Sequence, residues 1–193
     1  MPSIDVLEQP QLVLERSNNF MDNKWIYRLT QEEEGTCAEV GYLRQKPFLG
    51  DQSRNKNYAE GDIWEMWQHA VCAASELAFA RMMGNFEFVP HVNKFKSELD
   101  FPEWGEVRHS NKQGLRFTKY DDPELKYVLM GGGITMARER RDPQDGYKTP
   151  PYVALGWMYG KDCMEDEWLS PYKNTTWYVP KNKLRKMDDT EYL

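Results

Sequence analysis

The sequence predicts one α/β domain, residues 1–193, with a central mixed β-sheet flanked by helices. Three observations lead there. A long helical pattern from Asp62 to Gly84 is followed by short strand patterns separated by Gly, Pro and Asp breakers. A length of 193 residues suits a single core. Apolar residues make up 40% and charged residues 29%, the balance of a globular chain rather than a disordered one.

Each element has its own signal. Leu12 to Glu15 is a short apolar run with strand character, and Trp25 to Leu29 has strand composition. The acidic run Gln31 to Glu34 reads as a solvated turn. Tyr42 to Leu49 suits packing on the core, and Asp51 to Glu60 is a polar loop. Asp62 is a good N-cap for the long helix, and Gly84 suits its C′ position. Its expected buried stripe is Ile63, Trp67, Ala70, Ala74, Leu77, Ala78 and Met82.

Two short strands are expected next, ending at Asp100 and beginning at Glu106, joined by a Pro- and Gly-containing turn. Residues two apart on a strand share a face, so Glu106 and Arg108 point one way and Val107 enters the core. Leu115 to Phe117 is a further strand, and Asp121-Asp122-Pro123 is a turn. Tyr127 to Met130 is continuously apolar and therefore central in the sheet. Gly131 to Gly133 lack a following Lys-Ser/Thr, so they read as a strand exit rather than a phosphate loop. Ala137 to Tyr147 reads as a mobile loop, Tyr152 to Met158 as a buried strand, and Asp162 to Trp168 as a short acidic helix.

The segment 169–187 is basic and aromatic. Lys173, Lys181, Lys183, Arg185 and Lys186 alternate with Tyr172, Trp177 and Tyr178. That pattern fits a nucleic-acid surface, and it equally fits a solvated edge whose rings pack on the core.

Charge and cysteine usage exclude several classes. A net charge of −6 and a pI near 5.2 weigh against a non-specific nucleic-acid coat protein. They leave room for an acidic metal site with a local basic rim. Three cysteines without a CxxC spacing argue against a disulfide framework or a thiolate zinc site and fit a reducing, intracellular setting. No apolar run approaches the roughly 18 residues of a membrane span, and the first residues lack the pattern of a signal peptide. His69, His91 and His109 form no HxxxH or HxH pair, and there is no GxSxG. Ordinary structural or surface roles are therefore expected for the histidines.

What remains is carboxylate chemistry. Phosphodiester hydrolysis needs neutralisation of the scissile phosphate and an activated water, which a hard cation on carboxylate oxygens supplies. Glu76, Asp100 and Glu106 are the candidate oxygen donors, and Arg108 is the candidate fixed positive charge. Glu76 can also be a Glu at the stripe's edge with its head in water, and Asp100 a turn residue that ends a strand.

Asp100 followed by Glu106-x-Arg108, with Glu76 on the preceding helix, resembles the PD-(D/E)XK nuclease superfamily. More specifically the chain resembles small phage and bacterial proteins of that superfamily. The resemblance runs through Glu76 to Arg81 with Gly84, Glu106-Val107-Arg108, Asp121, Tyr127-Val128-Leu129, Gly156-Trp157, Trp177 to Pro180 and Leu184. It covers roughly Trp64 to Leu184 and implies a restriction-endonuclease-like core at about 62–160.

The resemblance implies a DNase using Mg²⁺ or Mn²⁺, held by Glu76, Asp100 and Glu106, with Arg108 on the attacked phosphate. Arg116, Lys119, Lys173, Lys181, Lys183, Arg185 and Lys186 would hold the DNA backbone. A cytoplasmic phage or bacterial setting and a homodimer are further implications. Two departures stand out. Arg108 occupies the usual lysine position, and arginine stays charged and cannot act as a base. Leu99 rather than Pro precedes Asp100, and Glu98 or Glu103 is an alternative partner for Glu106. The competing reading is a non-catalytic protein on the same scaffold, a phage accessory factor that binds a host protein or a nucleic acid.

Overall fold

The computed structural model describes residues 23–49, 61–92, 99–133 and 150–189. The expected strand at Leu12 to Glu15, the polar loop at Asp51 to Glu60 and the loop at Ala137 to Tyr147 lie outside the described residues, as does most of the strand expected before Asp100. In order, the elements are β1 (Ile26–Tyr27), α1 (Gln31–Gln45), α2 (Gly61–Met82), β2 (Glu106–His109), β3 (Leu115–Thr118), β4 (Lys126–Gly132), β5 (Tyr152–Tyr159), β6 (Leu169–Ser170) and β7 (Lys173–Val179).

The acidic run Gln31 to Glu34 is not a turn but the first turn of α1. Thr30 and Glu33 form a reciprocal cap. The Glu33 N–H donates to the Thr30 hydroxyl at 3.1 Å, and the Thr30 N–H donates to the Glu33 carboxylate at 3.0 Å. Acids suit this end because unpaired N–H groups leave it partly positive. The cap spacing, Thr-x-x-Glu, is present in the sequence and outweighs the turn-like look of the charge run.

Helix α2 ends as expected. Gly84 takes φ +77°, the Asn85 N–H reaches the Ala80 carbonyl at 2.9 Å, and the Gly84 N–H reaches Arg81 at 3.0 Å. Its burial differs from the expected stripe. Ile63 is 67% exposed, whereas Val71, Ala73 to Ala80 and Met82 are buried. Helix α1 packs along α2, and its Cys37 and Val40 share a core with the second half of α2. Gly41 of α1 makes that approach possible, since a Cβ there would sit 2.6 Å from the Ala70 nitrogen.

Four strands form a mixed sheet in the order β1-β5-β4-β2, antiparallel except for the parallel β4–β2 pair. The expected central strand is β4. Val107, Val128, Met130, Ala154 and Trp157 join the core shared with the helices. Tyr127, Leu129 and Met158 join a second core with Leu115, Phe117 and Val179. The second core lies under an antiparallel sheet of order β3-β7-β6. Among the described residues, then, helices flank the central sheet on one face, and a small sheet covers the other.

The acidic helix expected at Asp162 to Trp168 is two 3₁₀ turns, Gly160–Cys163 and Asp166–Trp168. The run has no apolar stripe long enough to bury a helix. Trp177 packs inward near Phe117, with ring centroids 6.2 Å apart. Part of the basic, aromatic segment is therefore core.

Candidate acidic site

Asp100 is positioned by a tight turn. The Phe101 N–H donates to the Gly105 carbonyl at 3.0 Å, and the Gly105 N–H donates back to Phe101 at 2.6 Å. Gly105 takes φ +87°, and a Cβ there would meet the Lys126 carbonyl. The turn folds the chain so that the Val107 N–H donates to Asp100 Oδ2 at 2.9 Å. Asp100 is thus fixed beside the start of β2, where Glu106 stands, as a short interval between the two carboxylates requires.

Glu76 sits on the enclosed half of α2. Its head is not in water. Arg44 of α1 grips it at both oxygens, Nη1 to Oε1 at 3.1 Å and Nη2 to Oε2 at 2.8 Å. The two side chains are 1% and 7% exposed. Arg44 Nε also donates to the His91 carbonyl at 2.7 Å. The planar guanidinium matches a carboxylate with two parallel bonds, which is why arginine suits a buried pair.

The three carboxylates feel one another. Burial, then the charge of Glu76 and that of Glu106, push the Asp100 carboxyl up to about 8, against the opposing pull of the Val107 N–H and Arg44. Burial also raises Glu106, where Arg108 opposes and Glu76 and Asp121 add to the rise. Arg108 Nη2 donates to Asp121 Oδ1 at 2.8 Å, and its guanidinium lies 5.3 Å from the Tyr127 ring centre. The other Asp121 oxygen accepts from the Thr118 N–H at 2.7 Å and the Thr118 hydroxyl at 3.0 Å.

Asp100 thus lies within the field of Glu76 and Glu106, and Glu106 within that of Glu76 and Arg108. Sequence reasoning misses Arg44 altogether and reads Asp121 only as a turn residue and part of the resemblance. Arg44 lies 32 residues from its partner with no motif around it. The expected DNA-contacting residues divide. Arg116, Lys181 and Lys183 collect at one end of the small sheet, and Lys119 and Lys173 lie towards the other. Arg185 is engaged by Asp162 at 2.7 Å and by the rings of Trp157 and Tyr159. Lys186 follows in the chain, its side chain exposed.

The other candidates resolve simply. Gly131 to Gly133 are no phosphate cradle, because the Gly132 N–H donates to Asn111 Oδ1 and the Gly133 N–H to the Pro151 carbonyl. His109 bonds the Gly132 carbonyl at 3.0 Å, and burial lowers its pKa. Cys37, Cys72 and Cys163 are all free thiols. No helix among the described residues is long and apolar enough to cross a membrane.

Among the described residues, no three Asp, Glu, His or Cys side chains are arranged to hold a single ion. Asp100 and Glu106 are carboxylates, the donor type that a hard cation takes. A divalent ion would offset the burial, and after it the neighbouring negative charge, that raises both carboxyls. One or two carboxylates plus water and a substrate phosphate are an ordinary magnesium site. The chain matches no protein-family model, no curated protein and no solved structure.

Proposed function

We propose that the protein is a metal-dependent DNase of the PD-(D/E)XK type. The observation that carries this reading is the placement of the buried Asp100 carboxylate, held by the Val107 N–H beside Glu106 with Arg108 on the adjoining strand; burial and the charges of Glu76 and Glu106 raise it to about 8. A carboxyl so placed gains by binding a cation. Asp100 and Glu106 would hold Mg²⁺ or Mn²⁺, and Glu76 would deepen the negative field while Arg44 holds it in place.

When bound, the ion would neutralise the attacked phosphate and lower the pKa of its water. Arg108 supplies a fixed positive charge and donates to a phosphate oxygen. Asp121 orients that guanidinium through its bond to Arg108 Nη2. Asp100 must release its proton to serve as a ligand, so ion binding strengthens as pH rises towards and past about 8. DNA is the proposed partner and a bacterial cytoplasm, reached through a phage or native to the cell, the proposed setting. A homodimer is compatible with this reading.

One observation favours a second reading. Arg44 occupies both oxygens of Glu76, as a permanent cation would in a scaffold that binds a host protein or a nucleic acid without cutting. Cleavage of supercoiled plasmid with Mg²⁺ or Mn²⁺ separates the two. The nuclease reading expects nicking that EDTA and Glu106→Gln both abolish. Absence of cutting by the folded native protein with either metal rejects it in favour of the binder.

A further inference from the structure

The chain carries a net charge of −6, yet residues 109–117 and 177–186 contain no acid at all. They hold Lys112, Arg116, Lys181, Lys183, Arg185 and Lys186. The fold brings these two stretches together. β3 pairs with β7 so that Arg116 lies opposite Tyr178 and Leu115 opposite Val179. The loop after β2 lies against the end of β7, because Gly114 has the Val179 carbonyl where a Cβ would stand. Lys181 Nζ donates to the Asn111 carbonyl at 2.9 Å, tying the turn Lys181–Lys183 to that loop.

Arg185 is paired with Asp162. Lys112, Arg116, Lys181 and Lys183 are exposed and have no carboxylate partner among the described residues. Four exposed cations gathered at one end of an acidic protein give that end a local positive potential that attracts a polyanion. The patch also lacks a fully exposed ring. The most exposed tyrosines, Tyr120 and Tyr172, lie towards the opposite end of the small sheet, where Asp121 and Asp122 follow Tyr120. Cations without stacking platforms suit phosphates rather than unpaired bases.

We propose that Lys112, Arg116, Lys181 and Lys183 form a sequence-independent contact surface for the phosphate backbone of duplex DNA. As a second contact for the same substrate, this surface rests on the nuclease reading. Ser110, where the basic loop begins, follows Glu106 by four residues of strand, about 13 Å at 3.3 Å per residue.

The test is anisotropy of a labelled duplex at about 50 to 200 mM salt in EDTA, so that no metal and no turnover enters. The variant Lys112→Gln/Lys181→Gln/Lys183→Gln should bind at least about tenfold more weakly at the low-salt end. Its slope of log affinity against log salt should fall by roughly 0.9 for each phosphate no longer neutralised. Lys161→Gln, at an exposed site paired with Glu124, should bind as the native protein does. Thermal melts of the triple variant should stay close to those of the native chain, since all three positions are exposed and the one bond lost, Lys181 to Asn111, lies at the surface. Native-like affinity and slope in the triple variant overturn the proposal, as does native protein that does not bind duplex at low salt. Tighter binding of a single strand of the same length overturns the duplex assignment. Because the assay is metal-free, it can fail while plasmid cleavage succeeds, or succeed while cleavage fails.

Discussion

The Arg44–Glu76 and Arg108–Asp121 pairs differ chiefly in how much water reaches them. Arg44 and Glu76 are 1% and 7% exposed and meet through two bonds between packed helices. Arg108 and Asp121 are 27% and 16% exposed and meet through one bond at the margin of β2. A buried ion pair gains little over a well-packed apolar pair, yet breaking it leaves a stranded charge. A half-exposed pair is softened by solvent and can exchange its partner for a ligand. Arg44 therefore acts as a fixed part of the core, whereas Arg108 has the freedom that contact with a phosphate needs.

Breaking the buried pair should produce the largest effect. Arg44→Met should cost about 3–5 kcal/mol in urea unfolding, because Glu76 is then buried without a partner. Arg44→Met/Glu76→Leu should recover most of that loss. If Arg44→Met alone costs under about 1 kcal/mol, the contrast between the pairs collapses. Arg108→Met should cost only about 1 kcal/mol in the same assay while removing plasmid cleavage.

Asp100→Asn sharpens the comparison through pH. The folded Asp100 carboxyl is raised above its ordinary value, to about 8. A carboxyl raised on folding holds its proton more tightly in the native state. Its contribution is fully present below the ordinary carboxylate range and is lost as pH rises through the folded value. In metal-free buffer the native protein should therefore lose stability between about pH 4 and 8, and Asp100→Asn should flatten that decline. Melting curves recorded across the range check it, and equal slopes for both proteins would remove the buried-carboxyl account. The smallest effect is expected at the α1 cap, where Thr30→Ala should cost about 1 kcal/mol without changing cleavage.

Local signals make much of the fold legible. Gly84 closes α2 where a left-handed C′ residue is needed, and the unbroken apolar run Tyr127 to Met130 marks the strand paired on both sides. Alternation along Glu106-Val107-Arg108 places Val107 in the core and its neighbours away from it. The failures are of two kinds. Gln31 to Glu34 reads as a turn only when charge density is weighed above the Thr30–Glu33 cap. Ile63, Arg44 and the small sheet over Tyr127 and Leu129 depend on which elements meet in space, which no local pattern encodes. The same applies to the site. Its carboxylates can be named from residue type and spacing, but the guanidinium gripping Glu76 comes from another helix and carries no motif.

The central claim is that Asp100 and Glu106, and not the pair-locked Glu76, offer oxygens to a divalent ion. Calorimetric titration of Mn²⁺ into the native protein at about pH 6 and about pH 8.5 tests it most directly. Binding should strengthen at the higher pH and be lost in both Asp100→Asn and Glu106→Gln. Native protein that takes up no Mn²⁺ at either pH, or binding by the two variants equal to that of the native chain, would contradict it.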